Sequence, residues 1–192
     1  MIDLPTLIHQ CAPGVAPTVL QAIIRTESGY NPLALHVNGP VQLRSQPTSP
    51  TQAAQWSAWL ISHGYSIDIG LMQINSRNLA PLNLTPATAF DPCQNVRAGA
   101  ALLSVEYTRA RQAGSPHNTA LLQAISAYNT GSPQAGFRNG YVAKVMSLPP
   151  AQEPPTPDPT CRPDHCAASP RSAHRASPYT ADTAVQGFSV ER

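Results

Sequence analysis

Between residues 1 and 148 the chain has five carboxylates, Asp3, Glu27, Asp68, Asp91 and Glu106, and a single lysine, Lys144. An acid–base enzyme built on this segment therefore has few groups to choose from. Glu27 stands apart from the rest. It continues Leu20, Ile23 and Ile24 at i, i+3, i+4 and i+7, so a helix would project its carboxyl group from the same face as three large apolar side chains. Partial burial disfavours the ionised form and raises the pKa, and a carboxylic acid still protonated near neutral pH can donate to a leaving group. Ser28-Gly29-Tyr30-Asn31-Pro32 follows directly, a turn that would end the helix and leave the carboxyl at a cleft edge. On spacing alone, a helix-end glutamate paired with an arginine is the competing reading.

The other carboxylates have plainer explanations. Asp91 precedes Pro92 and reads as an N-cap, and Asp3 before Leu4-Pro5 reads as another. Glu106 and Arg109 form an i, i+3 surface pair of small value. Asp68 remains open. It precedes Gly70-Leu71-Met72-Gln73-Ile74-Asn75 on an expected strand, where it is a second catalytic carboxylate, a sugar-binding group or a solvent-facing strand residue.

The elements needed to position these groups are mostly helical. Helices are expected from residue 4, over Ala16 to Thr26, over Thr51 to His63 with Trp56, Trp59 and Leu60 on one face, from Asp91-Pro92 to about Ala113, over Leu121 to Tyr128, and over Gly136 to Ser147. His36 to Leu43 reads as a short hairpin around Asn38-Gly39, and Ser66-Ile67-Asp68-Ile69-Gly70 as one more small strand. The expected fold class is mainly α, an α+β domain with a small sheet beside a cleft.

Composition bounds the rest. The chain has 192 residues, 12 basic and 10 acidic side chains and a net charge of +2. Such a balance supplies no basic stripe for a nucleic-acid backbone. No stretch approaches the roughly 18 apolar residues of a membrane span, and Met1 to Pro5 carries no basic leader region. Of the 21 prolines, nine lie between Pro149 and Pro178. Residues 149–192 are therefore read as a polyproline-stiffened linker and largely disordered tail, with 1–148 as the folded domain. Cys11 and Cys93 lie in the domain, Cys161 and Cys166 in the tail. That split is compatible with one disulfide in each part, and equally with free thiols. Cys161, His165 and Cys166 do not have a standard zinc spacing, and no metal is called for.

Four segments in order carry a resemblance: Glu27-Ser28-Gly29-Tyr30-Asn31-Pro32, Gly70-Leu71-Met72-Gln73-Ile74-Asn75, Ala127-Tyr128-Asn129-Thr130-Gly131 and Gly140-Tyr141-Val142-Ala143-Lys144-Val145. Together they resemble the soluble lytic transglycosylases, peptidoglycan-cleaving enzymes of lysozyme-like fold, and in particular the VirB1-like branch that accompanies type IV secretion and conjugation. The likeness spans about residues 5–148. It implies that Glu27 is the single acid/base, with Ser28 close to it. It further implies that Gly70, Met72 and Gln73 line a glycan groove, that Tyr128 and Asn129 face the glutamate, and that Tyr141 is the aromatic of the last motif. The implied reaction cleaves the β-1,4 bond between N-acetylmuramic acid and N-acetylglucosamine to a 1,6-anhydro product, without a cofactor. The implied setting is periplasmic, with which a Cys11–Cys93 disulfide is consistent, and the tail could hold secretion-system subunits. A lysozyme-type hydrolase using Asp68, and a non-catalytic glycan-binding assembly factor, are the alternatives.

Overall fold

The computed structural model describes residues 3–147 and 190–191. The linker and tail expected over 149–192, and any Cys161–Cys166 loop, lie outside these residues except for Val190–Glu191. Seven helices are described: α1 (Leu4–Cys11), α2 (Pro17–Ser28), α3 (Pro50–Ser62), α4 (Pro92–Gln112), α5 (His117–Thr130), α6 (Ala135–Arg138) and α7 (Tyr141–Ser147). The strands are β1 (Leu35–Val37), β2 (Gln42–Leu43), β3 (Ile67–Ile69), β4 (Ile74–Asn75) and β5 (Val190–Glu191). The domain is mainly helical with a small antiparallel sheet, as the residue pattern implies.

Local chemistry sets the helix ends. Proline in the first turn opens α1, α2, α3 and α4, where its missing N–H costs nothing. The Asp91 carboxylate caps α4 by accepting from the Gln94 N–H at 2.8 Å. Asp3 sits at the N-cap of α1 but its side chain makes no capping bond, so that expectation is corrected. Gly29 stops α2 in the left-handed conformation, φ 58°, returning its N–H to the Arg25 carbonyl.

Three expectations need correction. The hairpin around Asn38-Gly39 does not form: β1 pairs with β3, Leu35 opposite Ile69 and Val37 opposite Ile67, while β2 pairs with β5. The free edge of β1 is satisfied by a side chain, because Gln46 accepts from the Leu35 N–H and donates to its carbonyl at 2.8 and 3.0 Å, as a neighbouring strand would. The helix expected over Gly136–Ser147 is two helices, broken where Gly140 takes φ +82° and the Asn139 side chain accepts from the Tyr141 N–H. On α3 the buried series is Ala53, Ser57 and Leu60; Trp59 is 42% exposed and stacks on His63, ring centroids 3.9 Å apart.

The core lies between the buried face of α2 (Leu20, Ile23, Ile24), the inward face of the sheet (Leu35, Ile67, Ile69, Ile74) and α4 and α5 (Val96, Leu103, Ile125). A disulfide between Cys11 and Cys93, Cα atoms 5.3 Å apart, ties the end of α1 to the first turn of α4. No helix among the described residues is long and apolar enough to cross a membrane.

Candidate active site

Glu27 occupies the last turn of α2, and the left-handed Gly29 and Tyr30 that follow turn the chain away from it. The carboxyl is half-buried on the wall of a groove of about 940 Å³. From the other side α7 brings Tyr141, whose phenol donates to Glu27 Oε1 at 2.5 Å. Burial pushes the Glu27 pKa upward, and this outweighs the hydrogen bond from Tyr141 that favours the charged form; the Asp68 charge pushes it up and that of Lys144 pulls it down. The result is an acid held above the ordinary carboxylate range, with a donor aimed at it once ionised.

The facing wall is the outer face of the sheet. Register puts His36, Asp68 and Asn75 in one cross-strand row, while their neighbours Leu35, Val37, Ile67, Ile69 and Ile74 point into the core. All three of the row line the groove. Asp68 accepts from Asn75 Nδ2 at 2.7 Å and from Asn38 Nδ2 at 2.9 Å, so both carboxylate oxygens are held by amides.

The turn between β3 and β4 is clamped from beneath. Asn95, buried in α4, accepts from the Met72 N–H at 2.7 Å and donates to the carbonyls of Ile69 and Ala89, each at 2.8 Å. Gly70 has φ +77°, and a Cβ there would stand 2.4 Å from Asn95 Nδ2. The Met72 side chain lies against Gly99, where a Cβ would meet it at 2.6 Å. Its carbonyl instead receives the Tyr128 hydroxyl at 2.6 Å. Burial, then the charges of Glu27 and Asp68, raise the Tyr128 pKa well above the ordinary tyrosine value, and burial with Glu27 does the same for Tyr141. Both phenols are therefore neutral donors at any working pH.

The transglycosylase SLT domain family matches residues 6–145. The chain belongs to that family. The SLT domain is also 42% identical over 147 residues to "Protein virB1" of Agrobacterium fabrum (strain C58 / ATCC 33970), an alignment covering 77% of this chain and 59% of that protein. It is 43% identical over 155 residues to "Protein virB1" of Rhizobium radiobacter, 78% of this chain and 64% of the relative. It is 37% identical over 154 residues to "Type IV secretion system protein virB1" of Brucella abortus biovar 1 (strain 9-941), 77% of this chain and 64% of the relative. The chain thus spans about three-fifths of the length of the curated relatives it matches. No solved structure matched.

Within this SLT domain the residues singled out by type and spacing occupy different layers. Glu27, Ser28, Asp68, Gln73, Tyr128 and Asn129 line the groove, and Tyr141 stands behind Glu27. Ser28 donates its hydroxyl to the Ile24 carbonyl at 3.1 Å. Gln73, at φ 48°, spends its amide hydrogens on the carbonyls of Ala34 and Gly70, which leaves Oε1 as its acceptor. Asn129 accepts from the Asn139 amide at 3.3 Å. Gly70 and Met72 do not line the groove: both are buried, and Met72 presents its backbone carbonyl to Tyr128. No individual site role was read from the sequence for Asn95, Asn38, Asn75, Gln46 or Arg77. Only Asn95 had a legible signal, a polar residue four positions before Gly99 and eight before Leu103 on a buried helix face.

Proposed function

We propose that this protein is a peptidoglycan lytic transglycosylase that cleaves the β-1,4 bond between N-acetylmuramic acid and N-acetylglucosamine. The observation that carries the reading is the half-buried Glu27, its pKa raised by burial, beside the Tyr141 donor on a polar groove. In the first step protonated Glu27 gives its proton to the bridging oxygen as the bond to the muramoyl anomeric carbon breaks. The substrate's N-acetyl oxygen stabilises the positive charge that develops there. Ionised Glu27, accepting from Tyr141, then takes the proton of the muramoyl 6-hydroxyl. That oxygen closes on the anomeric carbon as a 1,6-anhydro ring and the acid is restored, so no water is consumed. The site of action is the periplasm, where a Cys11–Cys93 disulfide persists, and the relatives named for type IV secretion support service to such an apparatus. Binding of its subunits by residues 149–192 belongs to the same proposal.

A second reading has one observation in its favour. Asp68 lies on the same groove with both oxygens held by amides, an arrangement by which a hydrolase positions a second carboxylate against the sugar cation. Product mass separates the two. Purified protein incubated with isolated sacculi should release anhydromuropeptides, one water lighter than the reducing sugars a hydrolase makes, and Glu27→Gln should lower release at least a hundredfold. Reducing products would transfer the reaction to the hydrolase, and lysis by Glu27→Gln at the wild-type rate would remove Glu27 from the mechanism.

A further inference from the structure

Arg77 stands on the groove wall with no part in the chemistry above. It is the middle residue of the short 3-10 turn Ser76–Asn78 that follows β4, and its exposed side chain lines the groove. Among the described residues its guanidinium has neither a carboxylate partner nor a hydrogen bond. Nor does it tune the acid, since the charges that act on Glu27 are those of Asp68 and Lys144. Its backbone is nevertheless tied to Asp68, on the same groove, through one side chain. Asn75 Oδ1 accepts from the Arg77 N–H at 3.1 Å while Asn75 Nδ2 donates to Asp68 at 2.7 Å. The residue that carries a permanently charged, planar five-donor fork thus has its backbone anchored on a groove whose other walls are mostly amides and hydroxyls, with the fork itself open to solvent.

A fork of this kind matches a carboxylate in bidentate fashion. If the groove holds peptidoglycan, as proposed above, the sugar rings and their N-acetyl groups are neutral. The anionic groups are then the carboxylates carried on the lactyl arm of the muramoyl residue: the lactyl acid itself on a bare strand, or the acids of an attached peptide. We propose that Arg77 is a specificity residue that reads a carboxylate on the muramoyl side, so that the domain distinguishes muramic-acid-containing strands from neutral N-acetylglucosamine polymers.

The test measures affinity in the full chain carrying Glu27→Gln, which halts turnover, with and without Arg77→Ala. Three ligands are compared: a neutral N-acetylglucosamine oligomer, a peptide-free oligosaccharide of alternating N-acetylglucosamine and N-acetylmuramic acid, and the same oligosaccharide bearing its peptide. Arg77→Ala should weaken one or both anionic ligands about threefold to tenfold, as expected for a charge-assisted hydrogen bond facing water, and leave the neutral oligomer unchanged. Which anionic ligand loses affinity identifies the carboxylate. Arg77→Lys should recover part of the loss, and added salt should weaken anionic binding in the Arg77 protein more than in Arg77→Ala. Equal losses on all three ligands, or none on either anionic one, overturn the inference while glycan binding stands. Failure of the Arg77 protein to bind any of the three overturns the functional reading and this inference with it.

Discussion

Glu27 is governed by influences that oppose one another. Burial and the Asp68 charge hold its proton on, while the Tyr141 phenol and the Lys144 charge favour its release. The proposed reaction calls on both sides of that balance, because its first step would use the acid and its second the carboxylate. Tyr141→Phe removes a donor to the ionised form, so the Glu27 pKa rises further. Donation requires the protonated acid, and activity falls as pH rises through that pKa. The falling limb of the pH–rate profile should therefore move to higher pH in Tyr141→Phe, with kcat lower by about tenfold, the worth of a hydrogen bond to a charged group. A pH series on soluble glycan checks this, and a loss of rate with the limb unmoved would show that the phenol acts only on packing. Lys144 pulls in the same direction as Tyr141 but as an exposed charge, so salt screens its contribution.

At the scale of elements, the groove depends on how a helix grips a turn. Asn95 of α4 satisfies two backbone groups of the β3–β4 region and the Ala89 carbonyl just before α4, and Gly70 leaves it room. Asn95→Ala strands a buried N–H and two buried carbonyls, and should cost roughly 2–5 kcal/mol in urea unfolding. Asn95→Asp keeps the acceptor but loses both donors, and should be no better. An Asn95→Ala domain as stable as wild type would mean that the clamp is decorative. Helices of this fold are legible in the residue pattern because caps and 3.6-residue periods are local, which is why the start of α4 at Asp91-Pro92 reads directly from sequence. Strand pairing is not local. Asn38-Gly39 has the composition of a hairpin turn, yet β1 pairs with β3 across the inserted α3 and takes Gln46 on its other edge, a choice settled by distant partners.

For the whole molecule, the Cys11–Cys93 bridge closes a loop with a sequence separation of 82 residues, joining α1 to α4 around the α2-to-sheet region that supplies Glu27 and the sheet wall of the groove. Loop-closure entropy for that length corresponds to about 4.5 kcal/mol. Replacing both cysteines by serine, or adding reductant, should lower the unfolding free energy by about 2–5 kcal/mol, read by equilibrium urea denaturation. Equal stability with and without reductant would show that the bridge contributes nothing to the fold.

Residue pattern is enough to give the helical character of the domain, the placement of Glu27 at the end of an apolar helix face and the order of the four motifs, because each rests on residues within a turn or two of one another. The tertiary structure alone decided that Tyr141 reaches Glu27 across 114 positions, that Asp68 is held by Asn38 and Asn75, and that Met72 serves through its carbonyl beneath the groove. The reason is geometric: which side chain faces a cavity is set by strand register and helix packing, and these are fixed only when distant segments bury their apolar faces together.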